Sequence, residues 1–537
     1  MATASPAPPG AWTPPDERTY ARRWWVLAIL CTSLVIVVVG NTTLNVALPT
    51  LARDVADGGL GASQTQLQWI VDAYALVFAG LLLTAGALGD RFGRKGALQI
   101  GLVVFAVASV VAGFSDSSGQ LIALRAVMGA AAAFIMPSTL SILTNVFPPQ
   151  ERAKAISIWA GLSGAGAAIG PVASGFLLRH YWWGSVFLVN LPIIAFALVG
   201  GRILVPRSKD PEEGRLDPVG AILSIIGLAV LLYAIIEAPN HGWASAETLG
   251  LFAAAVVVLA AFLAWEWRSK EPMLDLRLFG NPRFGVASGG ITLVFFAMFG
   301  LFFLMSQYFQ LVLGYSPLGA AVRQLPVSVV IVAVAPRAPK LVARHGVNRV
   351  VAAGLGFVAV GLLLNSTWGV DTPYWQIVVS MCVVAAGMAL STSPLTASIM
   401  SSVPLGRAGV GSATNDTTRE LGGALGVAVL GSLLASRYTS AVDGVAGLPA
   451  AARGVAEEGL GGALQVANGL PGDAGRTLAA AAQQGYVDGM HLAVWVAAGI
   501  AALAAVLVLK FLPRHVTSPS EVPAGAQGGE PLPSPVR

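Results

Sequence analysis

Residues Gly86 to Leu98 read GALGDRFGRKGAL. The stretch packs one acid and three bases into six residues, Asp90, Arg91, Arg94 and Lys95, with Gly86, Gly89 and Gly93 around them, between two long apolar segments. Two spans joined by so short a charged turn must bring their ends together. Glycine, lacking Cβ, permits that approach and a sharp turn, and Asp90 can cap the next helix or pair with a base across the turn. The stretch reads as a clasp at one end of a helix pair; the alternative is a tight charged hairpin with no further role.

Composition sets the class. Of the 537 residues 55% are hydrophobic and only 11% charged, against about 25% charged in a soluble domain. The net charge is +5 and the pI about 9.3, but the bases fall in short clusters between apolar runs, as orientation signals do. A nucleic-acid partner is therefore excluded from the reading, and the partner expected is a lipid bilayer. Cys31 and Cys382 lie in separate apolar runs with no His or Cys nearby, which points to neither a disulfide nor a metal site.

Runs long enough to cross a bilayer, roughly 17 to 25 residues each, recur near 24–50, 66–88, 97–114, 119–145, 155–178, 184–205, 217–237, 247–267, 284–311, 317–336, 349–367, 374–401, 408–436 and 488–512. They are expected to be fourteen helices, because backbone polar groups in lipid must be satisfied within the segment and short alternating strands are not seen. The first run exceeds a signal-peptide core of about 7 to 15 residues and so reads as a span. With the N-terminus inside, five bases fall outside the cell (Arg53, Arg179, Arg437, Arg453, Arg476), three fall within spans (Arg125, Arg323, Arg419), and the other 24 are cytoplasmic. The positive-inside rule thus places both termini in the cytoplasm of a multi-pass cell-membrane protein.

A faint repeat relates Leu341–Arg349, LVARHGVNR, to the first loop: Leu341, Arg344 and Gly346 match Leu88, Arg91 and Gly93, while Ala343 stands in the place of Asp90. The expected layout is two six-helix halves, 22–206 and 271–513, with two helices inserted at 207–270. Related halves around a central site are the logic of alternating access. Residues 1–21 and 514–537 read as disordered cytoplasmic tails, and 437–487 as an external loop rich in Gly and Ala.

Five further stretches join the charged loop: TLNVALP (Thr43–Pro49), WIVDAYAL (Trp69–Leu76), LIALRAVMGA (Leu121–Ala130), GAAIGPVASG (Gly166–Gly175) and NDTTRELGGALG (Asn415–Gly426). Together they resemble the fourteen-helix drug:proton antiporter family of the major facilitator superfamily, over about Trp24 to Arg514. The resemblance implies an all-α major facilitator fold and efflux of drugs, antibiotics or dyes driven by the proton gradient without a cofactor. It marks Gly166, Gly170, Pro171 and Gly175 as an antiporter motif, in which Ser174 replaces a usual Gly. In span 1, Gly40 followed by Asn41 stands where many relatives carry an acid, so proton coupling is expected elsewhere.

Ionisable groups at lipid depth cost at least roughly 2.5 to 3.5 kcal/mol and are read as functional. Asp72 in span 2 and Arg125 in span 4 each lie about six residues from the outer side, at matched depths of roughly 9 Å, and could pair. Asp72 then exchanges a proton, with Arg125 returning to it; a purely structural ion bridge is the alternative. In span 13, Asp416 and Glu420 share a face at i, i+4, and Arg419 reaches Asp416 at i, i+3. Glu420, roughly 19 Å from the inner end, is the better candidate acid; the alternative is a polar clamp between helices.

Gly161, Gly164, Gly166, Gly170 and Gly175 allow close packing in span 5, and Pro171 bends it. Phe295, Phe296, Phe299, Phe302, Phe303, Tyr308 and Phe309 crowd span 9. Aromatic walls suit amphipathic or cationic drugs, which nominates Phe299 and Phe303, with Asn45 of span 1, as cavity residues; lipid-facing rings are the alternative. No phosphate-binding loop is present to hold ATP and no Cys/His cluster has metal spacing, so no enzyme activity is expected. The expected function is proton-coupled efflux of amphipathic small molecules by a monomer. A dedicated exporter of one metabolite or antibiotic is the alternative, and a non-transporting receptor a third reading.

Overall fold

The computed structural model describes residues 17–208, 217–269, 272, 274, 276–403, 408–445, 448–470 and 473–514, and some side chains inside helices lie outside the described residues. Of the tails expected to be disordered, residues 1–16 and 515–537 lie outside the described residues, whereas Glu17–Ala21 form a short helix just ahead of the first span. Among the described residues, fourteen long helical stretches carry the fold: α1 Arg23–Leu51, α2 Gln64–Phe92, α3 Arg94–Gly113, α4 Ser118–Val146, α5 Pro149–His180, α6 Ser185–Leu204, α7 Pro218–His241, α8 Ala246–Arg268, α9 Pro282–Val312, α10 Pro317–His345, α11 Val347–Asn365, α12 Tyr374–Ser401, α13 Ala408–Asp443 and α14 Asp473–Phe511. Among the described residues, thirteen helices are long and apolar enough to cross a membrane; α5 is a further helix of 32 residues.

The helix starts follow local chemistry. Ser63 and Gln66 form a reciprocal capping box at α2, while Ser117, Asp217, Ser245, Asn281 and Ser316 cap α4, α7, α8, α9 and α10 through their side-chain oxygens. Each satisfies an otherwise unpaired backbone N–H.

Gly93 lies at φ 118° between α2 and α3, and Gly346 at φ 88° between α10 and α11. The repeat retains glycine at both positions because each turn needs a conformation that side chains resist. Below, the end of the bundle holding these two turns is the loop end.

The helices α7 and α8 pack on one another, and α7 also lies against α2 and α13. Where the three meet, Ala75, Leu76, Leu232, Ile235, Ile236, Ala424 and Ala428 form a separate buried cluster.

The segment 437–487, expected as an external loop, is largely helical. Helix α13 continues to Asp443, short helices occupy Ala450–Glu457 and Leu460–Gly469, and α14 begins at Asp473. Helices of 36 and 39 residues measure roughly 54 and 58 Å, far more than the roughly 30 Å of a bilayer core. The sequence hid this because the segment lacks a long apolar run. Its apolar residues are interrupted by Gly and polar groups, and Ala456, Leu460, Ala463 and Ala467 are instead buried one face at a time, as an amphipathic helical hairpin requires.

Candidate functional site

The charged turn is held by more than its own charges. Lys95 donates from Nζ to the carbonyls of Arg202, at 2.8 Å, and Val205, at 2.7 Å. It thereby closes the end of α6, a favourable place for a cation. The Arg94 backbone N–H donates to Ser208 at 3.2 Å, and the Arg91 guanidinium lies 5.5 Å from the Phe92 ring. A Cβ on Gly86 would sit 3.5 Å from Pro137 of α4, and one on Gly89 3.3 Å from Ala97 of α3, so these glycines mark close approach to two neighbouring helices. The Asp90 side chain lies outside the described residues. Arg23 of α1 pairs with Glu151 of α5 at 2.8 Å.

In the bundle, Asp72 and Arg125 are both fully buried, but they do not pair. Arg125 donates from Nε to the Ile70 carbonyl at 3.0 Å, and from its two terminal nitrogens to the Gly40 carbonyl and Asn41 Oδ1, each at 3.4 Å. Its guanidinium lies 4.3 Å from the centre of the Tyr74 ring. Glu420 of α13 lies within electrostatic reach of Arg125. Neither Asp72 oxygen has a hydrogen-bond partner among the described residues. Matched depth was legible from helix rise; direction was not, because it depends on how α2 and α4 are rotated against each other.

Span 13 follows the expected geometry. Arg419 lies 3.7 Å from Asp416, donates to the Thr396 hydroxyl at 3.1 Å, and sits 5.2 Å from the Phe295 ring. Asp416 also accepts from the Asn415 amide at 3.3 Å. Glu420 is within reach of Asp416, Arg419 and Arg125. In place of the pairing expected with Asp72, Arg125 is held by groups of α1 and α2 and lies within electrostatic reach of Glu420 on another helix set.

Phe295 and Phe299 stack with centroids 6.0 Å apart, and both are half-buried. They stand beside α13, where Arg419 covers Phe295 and a Cβ on Gly423 would meet Phe299 at 3.1 Å. Phe303 is fully buried in the core, unlike the half-buried Phe295 and Phe299. Asn45 contributes its backbone carbonyl, which accepts from Ser306 of α9.

At the end opposite the loop, α1–α6 and α9–α14 are joined repeatedly. Gln310 donates to the Val46 carbonyl at 3.0 Å. Gln68 donates to the carbonyls of Val427, at 3.4 Å, and Ala428, at 3.3 Å. The N–H of Gln64 donates to the Glu458 carbonyl at 2.8 Å, and Gln465 bonds Asp54. The helical hairpin therefore straps one helix set to the other.

The span 5 motif divides between the two sets. A Cβ on Gly166 would meet Val38 at 3.3 Å, and one on Gly170 would overlap the Thr42 side chain, both on α1. One on Gly175 would lie 2.7 Å from the Leu318 Cα of α10. Its residues work as close-packing contacts, and Gly175 does so across the seam. Sequence reasoning missed Tyr74, Gln68, Thr396 and Asn41; Tyr74 and Gln68 sit two and four residues from Asp72, and only helix packing turns them into partners.

This architecture matches a known family: the family model described as Major Facilitator Superfamily covers residues 30–427. The chain belongs to the major facilitator superfamily. As a facilitator it is 38% identical over 497 residues to the multidrug efflux pump LfrA of Mycolicibacterium smegmatis, covering 92% of this chain and 97% of that protein. It is 32% identical to the tetracenomycin C resistance and export protein of Streptomyces glaucescens, covering 94% of each. It is 33% identical to the methyl viologen resistance protein SmvA of Salmonella typhimurium, covering 87% and 93%. Among solved structures, a bacterial homologue of the lysosomal transporter Spinster, inward-facing and unoccupied, shares the fold with TM-score 0.64 and 19% identity, covering 91% of this chain and 98% of that one.

Proposed function

We propose that this facilitator expels amphipathic small molecules in exchange for protons, by alternating access, as a fourteen-span protein in which α5 is the remaining span. The loop end is read as cytoplasmic because the bases concentrate there. On that orientation the seam contacts described above lie on the outer side, which supports an outward-closed, inward-facing arrangement like that of the Spinster homologue.

The observation that carries the reading is the burial of Asp72 with both oxygens unpartnered. A buried acid without a counter-ion is costly to leave charged, so a proton neutralises it. Arg125, positioned between Gly40, Asn41 and Tyr74 and within reach of Glu420, links the two helix sets electrostatically, so that a proton on Glu420 alters what holds them together. Phe295, Phe299 and Arg419 supply an aromatic, polar-rimmed wall for substrate. Efflux as the direction rests on relatives named for multidrug efflux and antibiotic export. A dedicated exporter of one antibiotic is the second reading, favoured by the relative named for tetracenomycin C.

The test is purified protein in vesicles with an imposed pH gradient and a fluorescent amphiphile. Movement of the dye against its own gradient, abolished by a protonophore, is expected. Movement that ignores the pH gradient refutes proton exchange.

A further inference from the structure

A groove of about 400 Å³ lies between α11 and α14 at the loop end, lined by Arg349, Ala352, Ala353, Ala505, Val506 and Leu509. It falls within the roughly 300 to 1,000 Å³ range of small-ligand sites. Arg349 is exposed and precedes Ala352 and Ala353 by three and four residues, so it shares their face of α11. Lys510, also exposed, follows Val506 by four on α14. Arg349 thus lines the groove and Lys510 lies one turn beyond Val506 at the same end of the bundle, with apolar wall running away from them along both helices.

The rim is fixed by two bonds between the helices: the Val347 N–H donates to the Arg514 carbonyl at 3.2 Å, and Asn348 donates to the Leu509 carbonyl at 3.3 Å. Arg344 and Arg514 add positive charge. No Asp or Glu occurs in α11 or in α14 after Asp488, so neither helix supplies an acid to offset these bases. The groove opens on the outside of the bundle, where Ala353, Val506 and Leu509 are exposed. Basic clusters at the ends of membrane helices attract acidic headgroups, and exposed apolar wall at hydrocarbon depth attracts acyl chain.

We propose that this groove binds an anionic phospholipid, its phosphate held by Arg349 and Lys510 and one acyl chain laid along Ala352, Ala353, Ala505 and Val506. Free phosphate would satisfy the bases and leave the wall bare; a neutral lipid would do the reverse. The inference is independent of substrate and coupling, and needs only that the bundle sits in a bilayer.

Native mass spectrometry of the full chain tests it, using micelles doped with phosphatidylglycerol or phosphatidylcholine of identical acyl chains. The wild type retains phosphatidylglycerol preferentially, and inorganic phosphate does not displace it. Each base is worth about fivefold in affinity, so Lys510→Gln weakens retention about fivefold and Arg349→Gln with Lys510→Gln about 25-fold. Ala353→Phe keeps the bases and blocks the wall, and also lowers retention. Equal retention of the two lipids, displacement by phosphate, or undiminished binding in the double or the Ala353→Phe variant would overturn the proposal. Should the double variant fail to fold, Lys510→Gln alone decides the charge arm, since that side chain is exposed at the end of α14.

Discussion

Gly175→Ala is expected to open the end of the bundle opposite the loop. The added methyl would lie 2.7 Å from the Leu318 Cα and 2.9 Å from the Pro317 carbonyl oxygen, both backbone atoms that cannot step aside as a flexible side chain can. Forcing a methyl into such a contact costs about 1 to 3 kcal/mol. Because α5 and α10 belong to different helix sets, separating the sets relieves the cost. The equilibrium should therefore shift toward the opened form by a factor of about 5 to 150. Gly166→Ala is the matched control: its methyl would meet Val38 at 3.3 Å and the Val35 Cα at 3.9 Å, both on α1 of the same set, so the strain from these contacts stays within one set. The assay is a pulsed spin-label distance between Val55→Cys and Val455→Cys, both exposed positions, in a protein whose Cys31 and Cys382 have been replaced. A longer distance in Gly175→Ala, with none in Gly166→Ala, is expected. An unchanged distribution in Gly175→Ala, or an equal shift in the control, refutes the assignment of this glycine to the seam.

Three other outcomes are expected. Asp72→Asn abolishes pH-driven exchange while substrate binding survives, since Asn imitates the neutral acid; uphill transport at the native rate, measured in vesicles, would remove Asp72 from the coupling path. Asp90→Ala lowers transport several-fold with expression and insertion intact, and full transport in that variant would leave the turn a mere connector. With Asp416 paired to Arg419 and no acid at position 40, monovalent or neutral amphiphiles should be exported in preference to divalent ones, because each charge is worth about 2.3 kcal/mol per 100 mV. Gly40→Asp should broaden the range toward divalent dyes, but only after the Phe105 ring gives way, since a Cβ at position 40 would lie 2.8 Å from it; equal export of both dye classes by the native protein at all membrane potentials would defeat this reasoning.

What the sequence determined by itself is largely what the bilayer imposes. Runs of apolar residues in a medium without water must be helices, and short turns such as Gly86–Leu98 then force neighbours to run antiparallel. The i, i+3 relation of Asp416 and Arg419 needs one helix only, and it is found as expected at 3.7 Å. The family followed from local motifs for the same reason.

Tertiary structure decided everything that depends on how one helix is rotated and leaned against another. Arg125 and Asp72 share a depth, but the azimuth of α4 sends the guanidinium to Ile70, Gly40 and Asn41. Phe299 and Phe303 are one turn apart on α9, yet Phe299 is half-exposed beside α13 while Phe303 is enclosed by the core. The segment 437–487 lacks the long apolar run that marks a span, and becomes a helical strap only where α14 and the α1–α2 connection give its small apolar faces something to cover. Periodicity reports burial along one axis; partners across a seam are set by packing between elements distant in sequence, and no local pattern encodes that rotation.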